Sequence, residues 1–201
     1  MRQVPKPNGG RKMRKTLIFL KIPAAGLLVL LTILPAITIA SSDNAVVGII
    51  GEEGFKANSR VFATFRFSPG NIHINRGGVI TFQNLVTNDT HTISIVNEPQ
   101  LPTTVSQVFM CGAPGTVCAA IFAAHIPNGF NPVTMQPNPP VYPFVNVPGN
   151  PSGFTEGNVQ GNSQVIMPGQ TVDITISAQS GTTLHYLCAI HAWMQGTIVV
   201  K

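Results

Sequence analysis

The chain has 201 residues, 44% hydrophobic and only 9% charged, with 19 Gly, 17 Pro and a formal net charge of +5. That length allows one domain, and so much turn-forming residue beside so little charge argues for short strands and against a helical protein. Seven of the 12 basic residues fall within the first 21 positions, and beyond residue 40 five basic residues face seven acidic ones, so no basic patch remains for a nucleic acid.

Residues 1–40 begin basic and continue into 22–40, IPAAGLLVLLTILPAITIA, an apolar stretch with no charge. Small residues at Thr38 and Ala40, with Pro35 upstream, read as a secretory signal cleaved before Ser41. Left uncleaved, the same stretch is nearly long enough to span a bilayer and would tether the protein to a membrane. Both readings put the remainder outside the cytoplasm: periplasmic, secreted, or anchored to the outer face of the cytoplasmic membrane. Residues 41–54 then read as a linker to a domain spanning 55–201.

Within that domain RVFATFRF (60–67) alternates as a strand, NIHIN (71–75) and VITFQN (79–84) flank RGG as a turn, and HTISIV (91–96) follows the polar loop LVTNDT. Later come QVIM (164–167), TVDITIS (171–177), TLHYLC (183–188) and GTIVVK (196–201), rich in Val, Ile and Thr. Short strands separated by Gly and Pro turns predict an antiparallel Greek-key β-sandwich. Residues 98–163 are dense in Pro, Asn and Gly and cannot form central strands. They read as a long irregular insertion over the sandwich, with a short hairpin or a single helical turn around MCGAPGTVCAAIFAAHI. Cys111 and Cys118, separated by six residues that include Gly and Pro, suit a local disulfide in an oxidising compartment.

Cys188 is left over from the three cysteines. It pairs with Cys111 or Cys118, or it has another task. In YLCAIHAWMQG it stands three residues before His191 and six before Met194. A thiolate, an imidazole and a thioether suit copper in both its oxidation states, and a blue-copper centre takes two histidines, one cysteine and a distant methionine. A methionine by itself is more often core than ligand. For the second imidazole, His185 points to the face opposite Cys188, His73 lies mid-strand, and nothing supports His125. His91 opens a strand at an end of the sandwich and is the best candidate.

VITFQNLVTNDTHTISI, MPGQTVDITI and YLCAIHAWMQGTIVV together resemble the cupredoxins, the small blue copper proteins. The loop design is similar to plastocyanin, pseudoazurin and above all amicyanin. The resemblance covers about 55–97 and 163–201. It implies a Greek-key sandwich that binds one copper ion, Cu(I) or Cu(II), through His91, Cys188, His191 and Met194. Asn84, ending the strand before the first histidine, matches the family pattern. The family often has Asn after that histidine, where Thr92 stands, and Pro before the second, where Ile190 stands. Both departures touch the surroundings of the ligands and bear on the potential rather than on copper binding. By the same resemblance Ile190 and Trp193 would belong to an apolar collar where redox partners dock, although Trp193 could equally be simple packing.

The function expected is an exported electron carrier with protein donors and acceptors, and not an enzyme, since the motifs for further copper ions are absent. A copper carrier or storage protein, and an interaction module built on the same fold, are the alternatives. Asn88-Asp89-Thr90 is a glycosylation sequon, a weak signal beside a proposed ligand.

Overall fold

Alternating β-branched and aromatic residues become strand throughout the computed structural model, which describes residues 42–201. The signal or anchor reading of residues 1–40 lies outside the described residues. In chain order the first strands are β1 (Ser42–Ile50), β2 (Glu53–Lys56), β3 (Arg60–Ala63), β4 (Arg66–Ser68), β5 (Asn71–Asn84) and β6 (His91–Val96). Two helices, α1 (Val105–Met110) and α2 (Val117–His125), and the short strands β7 (Phe144–Val145), β8 (Phe154–Glu156) and β9 (Val159–Gly161) follow. The chain closes with β10 (Ser163–Ile166), β11 (Thr171–Ile176), β12 (Thr183–Leu187) and β13 (Gln195–Val200).

The all-β sandwich expected from the sequence is present, with β5 shared by its two layers. Its first residues pair with β13, in a layer ordered β7-β10-β6-β12-β13. Its later residues pair with β1 and β11, in a layer that continues through β8 to β9 on one side and from β1 to β4 on the other. RGG is therefore a bend inside one long strand and not the turn expected. Gly77 takes φ +83°, and a Cβ on Gly78 would meet Ile74 Cγ1 at 2.6 Å and the Asp43 carbonyl at 2.9 Å. A side chain at Gly77 would have room but a strained backbone, and one at Gly78 would push against the neighbouring chain. The pairings of β5 with β1 and with β13 are parallel, so the sandwich is antiparallel except around this shared strand.

Two further expectations need correction. Residues 42–50 are not a linker but β1, whose Val47 and Ile49 are buried against β5 in the core. RVFATFRF is not one strand. It breaks at Thr64, which bonds back to Glu52 through backbone and hydroxyl, and this turns Phe65 inward between β3 and β4.

The main core lies between the layers and includes Phe67, Ile74, Phe82, Ile95, Tyr186 and Phe154. A second cluster forms on the outer face of β6 and β12, where Val96, Leu187, Ala189 and Ala192 meet Cys118, Ile121 and Val147. That is why all six residues of β6 are buried, on both faces. The insertion is thus more ordered than its composition suggests. Thr104 and Thr116 cap its helices, Cys111 and Cys118 are disulfide-bonded, and its three short strands extend both layers.

Candidate metal centre

Three strand ends meet at one end of the sandwich. β6 begins with His91, β12 runs out into Cys188, and residues 188–194 loop back to β13. The loop is closed by its own backbone: Met194 N–H donates to His191 O at 2.8 Å, and Cys188 N–H donates to Met194 O at 3.0 Å. This folding makes residues three apart converge, which a continuing strand could not do.

His91, Cys188 and His191 come together, each offering one atom within 4.8 Å of the others. Sγ of Cys188 lies 3.8 Å from Nδ1 of His91 and 3.8 Å from Nδ1 of His191, and the two nitrogens are 3.1 Å apart. Metal–nitrogen bonds of about 2.0 Å and a metal–thiolate bond of about 2.3 Å, opened at about 120°, would set the nitrogens about 3.5 Å apart and each about 3.7 Å from sulfur. The triangle fits one ion. His91 and Cys188 are wholly buried, His191 is 8% exposed, and Met194, 1% exposed, belongs to the same core cluster as Cys188. Two imidazoles and a thiolate in a trigonal set, with a thioether on the same loop, suit a single copper ion. The remaining histidines lie elsewhere: His73 within β5, His185 beside Glu98 at 3.8 Å, and His125 at the end of α2.

The surroundings position the donors. Asp89 lies 3.3 Å from His191 Nε2, which holds the ring's proton there and leaves the Nδ1 lone pair facing inward. Asn84, 1% exposed, donates through Nδ2 to the carbonyls of Asp89, Ile166 and Met167 and accepts from Val86 N–H. It braces the loop carrying Asp89 and His91. Thr92 N–H donates to Cys188 Sγ at 3.3 Å, while Thr92 Oγ1 accepts from Ala189 N–H at 2.7 Å. Phe65 meets the His91 and His191 rings edge-on, at 5.1 and 4.9 Å between centroids. Trp193 donates from Nε1 to the Phe65 carbonyl, yet stays 41% exposed, and Ile190 is 37% exposed, so both stand at the surface beside His191. Phe65 and Asp89 were not singled out as site residues from the sequence. Phe65 looked like one member of an alternating strand, and Asp89 stood only inside a sequon.

Burial sets the charge states of the metal-free protein. It lowers the His91 pKa from 6.5 to about 4, helped by the neighbouring His191 and opposed by Asp89. Burial also lowers His191, against Asp89 and Glu53, and lowers His125, against the Tyr142 carbonyl. The Cys188 thiol is pushed up by burial, with hydrogen bonds from Thr92, His191 and Ile190 working the other way. Both imidazoles are therefore ready donors at neutral pH, while binding a metal must displace a thiol proton. Between pH 6.5 and about 4 the unfolded chain binds protons that the folded chain refuses. Metal-free stability should be complete above that window and decline as pH falls through it. Urea midpoints measured from pH 7 to 4 check this, and a flat profile would mean that the imidazoles are charged when folded.

No family model matches the chain, and no curated protein matches it significantly. Solved structures similar to it include reduced auracyanin from Roseiflexus castenholzii, at 16% identity over 81% of this chain and 99% of that one, TM-score 0.42. Auracyanin A, a "blue" copper protein from Chloroflexus aurantiacus, is similar at 16% identity over 80% of this chain and 100% of that one, TM-score 0.43. A purple cupredoxin from Nitrosopumilus maritimus is similar at 13% identity over 78% of this chain and 99% of that one, TM-score 0.35. The fit to copper rests on the donor atoms of this chain.

Proposed function

We propose that the chain is an exported type 1 copper protein that carries single electrons between redox protein partners, and is not an enzyme. The observation that carries this reading is the buried triangle of two Nδ1 atoms and the Cys188 sulfur, whose spacing fits one ion. When bound, copper supplies a one-electron couple. The chain's own residues do the rest. Cys188 would give the anionic donor, His91 and His191 would give neutral nitrogens, and Met194, on the same loop, would add its thioether. Asn84, Thr92 and Phe65 keep these groups from moving and keep water out, so both oxidation states would meet the same geometry at little reorganisation.

His191 is the ligand nearest solvent, flanked by the exposed Ile190 and Trp193. An apolar rim around the outermost ligand suits brief docking of a partner, and the Asp89 carboxylate gives that rim a negative point. Export is supported by the sequence of residues 1–40 and by the Cys111–Cys118 disulfide, a bond that persists in oxidising compartments. The same leader, uncleaved, would hold the domain at a membrane surface. Among the described residues no helix is long and apolar enough to cross one.

The test is the purified domain with Cu(II) added. An intense visible thiolate-to-copper band is expected, bleached by a one-electron reductant and restored by an oxidant. Colourless binding, or binding of Cu(I) alone without reversible oxidation, would favour a copper carrier instead.

A further inference from the structure

A file of buried polar groups runs from the insertion to the metal loop. At its far end His125, the last residue of α2, has Nδ1 at 2.6 Å from the Tyr142 carbonyl and Nε2 at 2.8 Å from Ser163 Oγ. Ser163 Oγ lies 2.6 Å from Ser94 Oγ, which lies 3.1 Å from Thr92 Oγ1. Thr92 ends the file at the centre, with its oxygen on Ala189 N–H and its own N–H on the Cys188 sulfur. None of the four side chains is more than 3% exposed. A carbonyl only accepts, so Nδ1 carries the imidazole proton. Burial keeps the ring neutral, which leaves Nε2 to accept. The Ser163 hydroxyl then donates to Nε2, and the one Ser94 proton is shared between Ser163 Oγ at 2.6 Å and Thr92 Oγ1 at 3.1 Å. The Thr92 oxygen accepts from the Ser94 hydroxyl and from the Ala189 N–H.

We propose that His125 is a positioning residue for the metal centre, acting through Ser163, Ser94 and Thr92 on the Cys188–Ala189 peptide. The inference rests on the copper reading of that centre and gives the insertion a task within it. The Thr92 backbone N–H bonds the Cys188 sulfur and its Oγ1 bonds the amide that follows, so its rotamer fixes the Cys188–Ala189 peptide and, through that peptide, where the sulfur sits against the N–H. That rotamer is held in turn by a partner on a helix outside the sandwich. Disturbing hydrogen-bonded groups behind a ligand typically changes metal behaviour without removing the metal. Loosening the Thr92 N–H bond leaves more electron density on sulfur and so favours the oxidised metal.

The experiment uses the whole chain beyond residue 41 in four variants: Ser94→Ala, His125→Leu, their double, and His125→Gln. Ser94→Ala cuts the file without disturbing α2, so it remains informative if His125→Leu folds poorly. With copper bound, Ser94→Ala and His125→Leu should each shift the visible band and lower the reduction potential. The double should go no further than the larger single, because both break one file. His125→Gln, whose side-chain oxygen can still accept from Ser163, should recover most of the shift. In the metal-free protein the Ala189 amide should exchange its hydrogen about tenfold faster in Ser94→Ala. An unchanged band, potential and Ala189 exchange in Ser94→Ala, or additive shifts in the double, would overturn the proposal. A wild-type protein that takes up copper without the visible band defeats the copper reading, and Ala189 exchange then still decides whether the file holds the loop.

Discussion

Replacing Cys188 with Ala is expected to abolish the visible copper band and to weaken copper binding by more than the 10- to 100-fold, roughly, that follows from disturbing an outer partner of a ligand. Cys188 is the one free thiol among the described residues, and it supplies the only anionic atom in the donor triangle. Asp89 cannot substitute, because its carboxylate sits on the Nε2 side of His191, away from the Nδ1 atom that faces the centre. The metal-free variant should lose little stability. The thiol is neutral when buried, and removing one buried atom costs on the order of 1 kcal/mol. Copper stabilises the folded state by mass action, however, and that contribution disappears with the ligand. Thermal melts with and without copper should therefore separate widely for the wild type and nearly coincide for Cys188→Ala. A variant that keeps the colour would show that another group holds the metal.

How much of this site could be read from sequence follows from how local its parts are. Cys188, His191 and Met194 stand within seven residues, and the closed loop makes that spacing into convergence. His91 could be reached because it opens a strand after a polar loop, and strands at a sandwich end bring such positions together. Strands β6, β11, β12 and β13 announce themselves by alternation or by apolar runs. Groups whose partners are distant could not be found this way. Ser94 meets Ser163 across 69 positions, and His125 meets Ser163 across 38, with no local pattern to mark either pairing. Thr92 reads as a departure from a family pattern. In the structure its side-chain oxygen takes the Ala189 amide. β1 was hidden for a different reason: Gly48 and the polar start SSDN weaken a strand signal that only pairing with β5 restores. Glycine misled in the opposite sense at Gly77 and Gly78, where a turn signal marks a bend between two layers.

Excising residues 98–163 to leave a minimal electron carrier is expected to unfold the domain. The composition of the segment suggests a dispensable loop, and lengthening a loop costs little entropy, so clean removal looks feasible on paper. The structure argues otherwise at three places. Phe154, wholly buried, fills part of the main core, and losing a buried Phe side chain costs about 3–5 kcal/mol. Val96 and Leu187 would pass from full burial into water, at about 1.5–3 kcal/mol each. The strands β7 and β8 would vanish from the edges of β10 and β11, leaving their ladder groups unpaired. The sum is comparable to the whole stability of a typical domain, about 5–15 kcal/mol. Reducing the Cys111–Cys118 disulfide in the intact chain is a milder cut at the same segment, because the bond closes a loop of only seven positions. It should loosen the two helices while the sandwich stays folded. Circular dichroism and hydrogen exchange read both cases: the excised chain should show no cooperative melt, and the reduced chain should keep protection in β5, β6, β12 and β13. If the excised chain instead melts cooperatively and still takes up copper with an unchanged band, the insertion is not part of the fold's support, and the hydrogen-bonded file from His125 to Thr92 is not needed by the centre.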